Sequence, residues 1–195
     1  HCSVRRQRQM CIRDSNEPKL LTLMYINNEI GNILDIKSVS DICRKYNAYF
    51  HTDAVQAVGH FPVDLSSLKI DFLSSAGHKF HGPKGVGFTY INKSTKIKSF
   101  ICGGPQERGL RAGTESVHNI VGMTKALEIA IDNLEKESKY IKSIKAYMIQ
   151  KLNNIFPNIH YNGMSGNIEK STYTVLNVCL PLSYNNASML DFHLD

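Results

Sequence analysis

The sequence lacks any apolar run that approaches the roughly 18 residues needed for a membrane-spanning helix. It also lacks internal repeats, low-complexity segments and the apolar core of a secretory signal. We therefore expect no association with a membrane. What is present is a chain of 195 residues, 42% hydrophobic and 21% charged, which is typical of a soluble globular protein.

The five cysteines include no C-x-x-C pair, and their number is odd. Scattered cysteines of this kind argue against a disulfide framework or a zinc knuckle, so we expect a reducing compartment and place the protein in the cytoplasm. Cys43, Cys102 and Cys179 are expected to be packing residues, the first in a helix and the last in a strand. His78 and His81 form one H-x-x-H pair, but it lacks a second ligand pair, so we predict no metal.

Basic residues are concentrated at one end of the chain. Residues 1–15 hold four arginines and one aspartate, and without them the formal net charge falls from +6 to +3. The remainder shows no basic cluster interleaved with aromatic residues, so nucleic-acid binding is the weakest interpretation. We predict that residues 1–15 are a non-native or disordered tail and exclude them from the fold.

The first half of the chain alternates between strand and helix patterns. Residues 20–26 form an apolar run typical of a strand buried on both faces, and a helix is predicted after a possible N-cap at Asp35. Further strands are predicted at residues 48–53, 71–75 and 85–91. This rhythm predicts an α/β fold with a mainly parallel sheet and flanking helices.

The pattern in the second half of the chain predicts that a second domain begins there. A glycine-rich connection over residues 102–114 precedes a helical period from about 117 to 156, in which we predict a break near residues 133–138. A strand is predicted at residues 172–180 and a helix beginning at residues 188–194. We predict a large domain over residues 16–135 and the start of a small α+β domain over residues 136–195.

Polar side chains follow each of the first three predicted strands. Asn28 follows the first strand, Asp53 and Gln56 follow the second, and His78 and Lys79 follow the third. Each has an ordinary interpretation, as a turn residue, a helix cap or an exposed loop charge. However, ligands of open α/β sheets bind at the carboxyl ends of the strands, so a shared pocket is favoured.

The chemistry of these groups matches the needs of pyridoxal 5'-phosphate. That cofactor needs a lysine for a Schiff base, a carboxylate beside its ring nitrogen and a neutral donor beside its phenolic oxygen. Its phosphate needs hydroxyls, backbone N–H groups or an imidazole. The lysine, carboxylate, amide and imidazole just described supply each type.

Four motifs together resemble one enzyme family. They are I-N-N-E-I-G at residues 26–31, H-T-D-A-V-Q at 51–56, G-H-K-F-H-G-P-K-G at 77–85 and G-G-P-Q-E-R-G-L-R-A-G-T at 103–114. In this order and spacing they resemble the NifS/IscS-type cysteine desulfurases of the class V aminotransferase family. The resemblance implies the fold-type I architecture of enzymes that depend on pyridoxal phosphate.

The resemblance also implies a reaction and its partners. The family converts L-cysteine to L-alanine and leaves the sulfur as a persulfide on an enzyme cysteine. The expected partners are a second copy of the chain in a homodimer and sulfur-acceptor or scaffold proteins for iron–sulfur clusters or thiolated tRNA. A selenocysteine lyase or another class V aminotransferase is the alternative, and a non-catalytic scaffold that kept the fold is a third.

The family's residue roles can be transferred position by position. Lys79 would hold the cofactor covalently and later transfer a proton, Asp53 would pair with the pyridinium nitrogen, and Gln56 would bind the phenolic oxygen. These three intact residues argue against a non-catalytic scaffold. Asn28 would lie beside the phenolic oxygen and the substrate carboxylate.

The remaining roles concern the cofactor phosphate. His78 would contact it directly, and Thr114 would reach the phosphate of the neighbouring subunit. The family commonly has a serine where this chain has Ala76, so either one hydrogen bond is missing or Ser75 substitutes after a local shift.

Three family residues have no counterpart in the sequence. They are a ring-stacking histidine, the nucleophilic cysteine and an arginine for the substrate carboxylate. We therefore expect the sequence to be an internal fragment of a longer enzyme. The fragment by itself is expected to have no desulfurase activity.

Overall fold

A computed structural model describes residues 19–181 of the chain. It contains six strands, two α-helices and two short 3-10 helices within that range. In chain order these are β1 (Lys19–Met24), α1 (Ile36–Lys45), β2 (Ala48–Asp53), β3 (Phe72–Ala76), a 3-10 helix (Gly77–Phe80), β4 (Gly87–Ile91), a 3-10 helix (Glu107–Gly109), α2 (Val117–Ile155), β5 (His160–Tyr161) and β6 (Val178–Cys179).

The first four strands form one sheet in the order β1-β2-β3-β4. Strands β1, β2 and β3 are parallel, and β4 returns antiparallel to β3. Helix α1 connects β1 to β2, and it begins after Asp35, whose Oδ1 accepts a hydrogen bond from Ser38 N at 3.0 Å. The predicted α/β fold, its mainly parallel sheet and the N-cap are confirmed.

The core lies on one face of this sheet. Phe50 on β2 and Leu73 on β3 point into it, and Phe80 of the first 3-10 helix closes it beneath helix α2. Phe80 also approaches Gly59, where a Cβ atom would lie only 2.6 Å from the Cβ of Phe80. This packing fixes the 3-10 helix directly after β3, which matters for the site described below.

Strand β1 is not buried on both faces as its apolar sequence predicts. Leu20 is 60% exposed and Leu23 is 37% exposed. Within residues 19–181, β1 pairs only with β2, and four of its six residues are exposed. The prediction of a doubly buried strand is therefore wrong for the described part of the chain, because apolar composition cannot specify which element supplies the cover.

Helix α2 is a continuous helix of 39 residues, so the predicted break at residues 133–138 is wrong. The segment N-L-E-K-E-S contains neither proline nor glycine, and charged residues with good helix propensity do not end a helix. Its least favourable residues, Asn133 and Ser138, donate side-chain hydrogen bonds to the carbonyls of Ile129 and Glu135. The domain boundary predicted after residue 135 falls inside this helix and stays a prediction.

The C-terminal part of the described chain has little regular structure. Only Val178–Cys179 of the strand predicted at residues 172–180 is extended and paired, with His160–Tyr161. Cys43 is buried as predicted, whereas Cys102 and Cys179 are exposed, so their prediction as packing residues is wrong. The helix predicted at residues 188–194 lies outside the described residues. Among residues 19–181, no helix combines the length and apolar character needed to cross a membrane.

Candidate functional site

The carboxyl ends of β1, β2 and β3 lie level with one another. Met24, Asp53 and Ser74 are aligned across the three strands by the register of the sheet. The alignment continues past the strands, because Tyr25 N donates to the Asp53 carbonyl at 2.8 Å and Ala54 N donates to the Ser74 carbonyl at 2.9 Å. The chain segments that follow these three strands therefore leave the sheet at a common edge.

Asp53 is half-buried at the end of β2. Its Oδ1 accepts a hydrogen bond from Val55 N at 3.0 Å, while Oδ2 has no hydrogen-bond partner within residues 19–181. One oxygen thus fixes the carboxylate by a local bond two residues ahead, and the other is available to a ligand. Gln56 follows in the same turn, half-buried, with its side-chain amide in no hydrogen bond to another described residue.

Asn27 and Asn28, in the turn after β1, make different side-chain hydrogen bonds. Asn27 Oδ1 accepts hydrogen bonds from Glu29 N and Ile30 N, both at 2.9 Å, so Asn27 builds the turn. Asn28 is exposed, and its Nδ2 donates to Glu29 Oε1 at 2.9 Å. The turn is closed by Gly31, whose φ of +70° is a conformation that favours glycine. The turn-residue interpretation therefore applies to Asn27, whereas the side chain of Asn28 makes only an exposed hydrogen bond to its neighbour Glu29 among the described residues.

His78 and Lys79 lie in the 3-10 helix that follows β3, and both side chains are exposed. The backbone of this helix is held in place, because the Lys79 carbonyl accepts a hydrogen bond from His60 Nε2 at 2.9 Å. Gly82 N also donates to the Gly77 carbonyl at 2.9 Å and closes the turn. The described residues thus fix the position of Lys79, but they do not by themselves form the desolvated pocket expected around a nucleophilic amine.

Ser75 does not replace the serine expected at Ala76. Successive side chains of a strand point to opposite faces, so Ala76 shares a face with Ser74 and Asp53, while Ser75 points into the core. The Ser75 hydroxyl is buried and has no hydrogen-bond partner in the described structure. A local shift that exposed it would reverse the faces of the whole strand, so the structure favours a missing hydroxyl.

Thr114 is exposed at the end of the glycine-rich connection. This loop is held by its own contacts, with Gly113 N donating to Gln106 Oε1 at 3.1 Å and Ala112 N donating to the Ile101 carbonyl at 3.1 Å. No hydrogen bond among residues 19–181 joins Thr114 to the strand ends. The register of the sheet therefore places the other five predicted residues after strands that end at one sheet edge, whereas Thr114 follows the separate glycine-rich connection.

Sequence reasoning assigned no role to His51, which the structure places beside the predicted site. Its Nδ1 is hydrogen-bonded to Thr22 Oγ1 on β1, and its Nε2 is hydrogen-bonded to Ser74 Oγ on β3 at 3.0 Å. His51 thereby links three strands on the face that also presents Asp53. The available signal was its position two residues before Asp53, since residues i and i+2 of a strand share a face.

Comparison with known proteins identifies the family. The profile of the family described as aminotransferase class-V matches residues 9–191, which is nearly the whole chain. The chain therefore belongs to the class V aminotransferase family.

Among the curated relatives, the chain is 43% identical over 176 residues to the cysteine desulfurase IscS of Dictyoglomus turgidum. That alignment covers 90% of this chain and 43% of the relative. It is also 47% identical over 144 residues to the cysteine desulfurase IscS of Methanosarcina thermophila, covering 74% of this chain and 35% of the relative. The chain thus spans less than half the length of these relatives.

Solved structures agree with this family and its fold. A NifS-like protein superposes with a TM-score of 0.81 at 36% identity, covering 95% of this chain and 51% of the other. A NifS-like protein from Rickettsia africae superposes with a TM-score of 0.82 at 29% identity, covering 97% of this chain and 52% of the other. The predicted resemblance to NifS/IscS-type enzymes and the predicted fold class are confirmed.

Proposed function

We propose that this chain belongs to a cysteine desulfurase that depends on pyridoxal 5'-phosphate and converts L-cysteine to L-alanine. The sulfur would be transferred to an enzyme cysteine as a persulfide, and the nucleophile would belong to a part of the protein outside residues 19–181. The observation that most supports the proposal is the alignment of three strand ends, which gathers Asp53, Gln56, His78 and Lys79 at one edge of the sheet.

The chemistry of these side chains fits the cofactor. Asp53 offers a carboxylate oxygen that has no partner among the described residues, and Gln56 offers an amide with both of its polar atoms free of described contacts. Lys79 offers an amine on a backbone that His60 holds in place. A planar pyridinium ring with a phenolic oxygen and an aldehyde needs a carboxylate, a neutral donor and an amine at separate positions.

When it is bound, the cofactor supplies an electron sink for the carbanion formed at the substrate Cα. Asp53 would hold the proton on the ring nitrogen, because a carboxylate stabilises the protonated pyridinium. Gln56 would donate a hydrogen bond to the phenolic oxygen. Lys79 would anchor the cofactor and then move a proton to and from the substrate, and His78 would bind the phosphate.

Two further roles concern the substrate carboxylate and the partner subunit. Asn28, exposed on the turn after β1, would contact the substrate carboxylate with its amide. Thr114, exposed at the end of the glycine-rich connection, would bind the cofactor phosphate of the partner subunit in a homodimer. We further propose transfer of the persulfide sulfur to acceptor or scaffold proteins for iron–sulfur clusters or thiolated tRNA. The three free cysteines of the described residues agree with a reducing compartment such as the cytoplasm.

The test of the proposed function is the full-length protein with Lys79→Ala, compared with Lys84→Ala. Lys84 is an exposed lysine of the same connection and serves as the matched control. We expect the original protein and Lys84→Ala to keep a visible absorbance after addition of the cofactor and removal of its unbound excess, and to release alanine from L-cysteine. Lys79→Ala should lose both properties.

Two results would contradict the proposal. Borohydride reduction that still attaches the cofactor to the Lys79→Ala protein would remove Lys79 as the attachment site. Release of alanine from L-selenocysteine but not from L-cysteine would show that the protein is a selenocysteine lyase and not a cysteine desulfurase.

A further inference from the structure

Helix α2 contains a lysine whose burial the proposed reaction does not explain. Lys145 is 4% exposed, and its Nζ donates hydrogen bonds to Ser171 Oγ and to the Thr172 carbonyl, both at 2.7 Å. Among residues 19–181, no carboxylate forms an ion pair with it. Burial without a counter-ion lowers the pKa of this lysine. A buried amine that bonds only neutral acceptors costs free energy, so a purely apolar side chain would suit a packing role better.

The hydrogen-bond partners of Lys145 belong to a segment that lies beside the turn after β1. We call residues 162–177 the clasp segment. Its backbone bonds that turn twice, with Thr172 N donating to the Gly31 carbonyl at 2.8 Å and Ile33 N donating to the Lys170 carbonyl at 3.4 Å. The clasp segment therefore runs directly alongside the turn that presents Asn28.

Side chains of the turn and the clasp segment add two more bonds. Met164 N donates to Asn32 Oδ1 at 2.7 Å, and Asn177 Nδ2 donates to the Glu29 carbonyl at 3.0 Å. These contacts join residues more than 130 positions apart in the chain. The conformation of the turn is therefore determined in part by a distant segment.

Close packing makes this arrangement sensitive to displacement. A Cβ atom built on Gly31 would lie 3.1 Å from Thr172 Cγ2, so the turn and the clasp segment are in van der Waals contact. Ser171 is fixed from both sides, because its hydroxyl donates to the Asn167 carbonyl at 2.6 Å while its oxygen accepts from Lys145. Lys145 thus connects helix α2 to the clasp segment at the two residues that lie next to the turn.

We propose that Lys145 is a positioning residue, which holds the clasp segment against the turn so that Asn28 is presented to the substrate. This inference rests on the proposed function for the role of Asn28. The contact of the clasp segment with the turn can be measured without any cofactor, so the two claims can fail separately.

The experiment compares the full-length protein with Lys145→Met, Ser171→Ala and the control Lys139→Met. Methionine retains the length and apolar stem of lysine, and Lys139 is an exposed lysine of the same helix. Hydrogen exchange is measured in the absence of cofactor at the amides of Ile33 and Thr172. The amide of Ala54, which bonds to β3, reports on the sheet.

We expect hydrogen exchange at Ile33 and Thr172 to accelerate by about tenfold in Lys145→Met, while exchange at Ala54 is unchanged. Loss of the Lys145 contacts lowers the free energy of local opening of the clasp segment without unfolding the sheet. Ser171→Ala should show a smaller acceleration at the same amides, and it serves as the test if Lys145→Met does not fold. With cofactor and L-cysteine, KM should rise by about threefold or more with kcat nearly constant, as expected when substrate binding alone is weakened. Lys139→Met should change none of these quantities.

Three results would overturn the inference. Unchanged exchange at Ile33 and Thr172 would show that Lys145 does not hold the clasp segment. Equal acceleration at Ala54 would show a general structural role, and local acceleration with an unchanged KM would show that the turn does not depend on this contact for substrate binding. If the original protein does not act on L-cysteine but local exchange accelerates in Lys145→Met, the contact between Lys145 and the clasp segment is supported and the proposed function fails.

Discussion

Asp53 on β2 and Ser74 on β3 are paired in register across two parallel strands. Because side chains alternate along a strand, this pair determines which residues after it share the face of the carboxylate. Ala76 lies on that face, and Ser75 lies on the opposite face with its hydroxyl buried and without a partner in the described structure. The position at which the resemblance predicts a serine is therefore occupied by a residue whose side chain cannot donate a hydrogen bond.

Ala76→Ser should tighten the binding of pyridoxal phosphate. One added hydrogen bond to the charged phosphate contributes about 1.5 kcal/mol or more, which corresponds to about a tenfold or greater decrease in Kd. The measurement is equilibrium binding of the cofactor to the full-length protein, followed by its visible absorbance. Ser75→Ala is the control and should leave the Kd unchanged. Weaker binding in Ser75→Ala without tighter binding in Ala76→Ser would assign the phosphate contact to Ser75.

Asp53→Asn should retain the cofactor but lower kcat. The asparagine Oδ1 can still accept the hydrogen bond from Val55 N, so the local geometry is kept. The neutral amide cannot stabilise the protonated ring nitrogen, and loss of such electrostatic stabilisation costs about 10²-fold in rate. Asp64→Asn is a matched control, because Asp64 Oδ1 likewise accepts from a backbone N–H two residues ahead, at 2.9 Å. A kcat for Asp53→Asn close to that of Asp64→Asn would remove this residue from the electron-sink role.

Thr114→Ala and Lys79→Ala should complement each other when their subunits are mixed. If Thr114 acts across a two-fold dimer, a mixed dimer contains one site with both residues intact. We expect alanine release from L-cysteine to appear after mixing two proteins that are inactive or weak by themselves. Mixing Lys79→Ala with Asp53→Asn is the control, since no intact site can form when both residues belong to the same subunit's site. A mixture of the first pair that is no more active than the control pair would place Thr114 in its own subunit.

The sequence predicts the local elements well because their signals are local. The periodicity of residues 48–53 and the N-cap at Asp35 depend on neighbours a few positions apart, and both elements are present in the structure. The predicted break in helix α2 is wrong because it was based on the length of the helical period, whereas the local signals that end a helix, proline and glycine, are absent from residues 133–138. The exposure of β1 could not be predicted, since burial depends on which other elements cover a strand.

The residues of the candidate site also fall into two groups, those that general rules of the fold can locate and those that depend on contacts between distant parts of the chain. Asp53, Gln56 and Lys79 could be located because the carboxyl ends of parallel strands meet at one edge, which is a general property of the fold. The contacts of His51 with Thr22 and Ser74 join residues 29 and 23 positions apart, and those of Lys145 join residues 26 and 27 positions apart. Contacts at such separations depend on packing and leave no periodic signal in a single sequence.

Lys145 should make the stability of the protein depend on pH in a defined direction. Burial lowers the pKa of its amine from the value of 10.5 expected in the unfolded chain. Between the folded pKa and 10.5, the unfolded chain binds the proton that the folded protein has lost, so the free energy of unfolding rises with pH in this window. Below the folded pKa both states are charged, and the cost of burying the ammonium is fully present.

The measurement is the free energy of unfolding of the original protein minus that of Lys145→Met, from denaturant titrations at pH values from about 7 to about 10.5. Burial raises the pKa values of Cys43, Tyr25 and Tyr173, which lowers stability as pH rises, but these groups are present in both proteins and cancel in the difference. We expect the difference to increase with pH by at most about 1.4 kcal/mol per pH unit, the limit for one proton. A difference that is flat or falls over this range would contradict the burial of an uncompensated amine at Lys145.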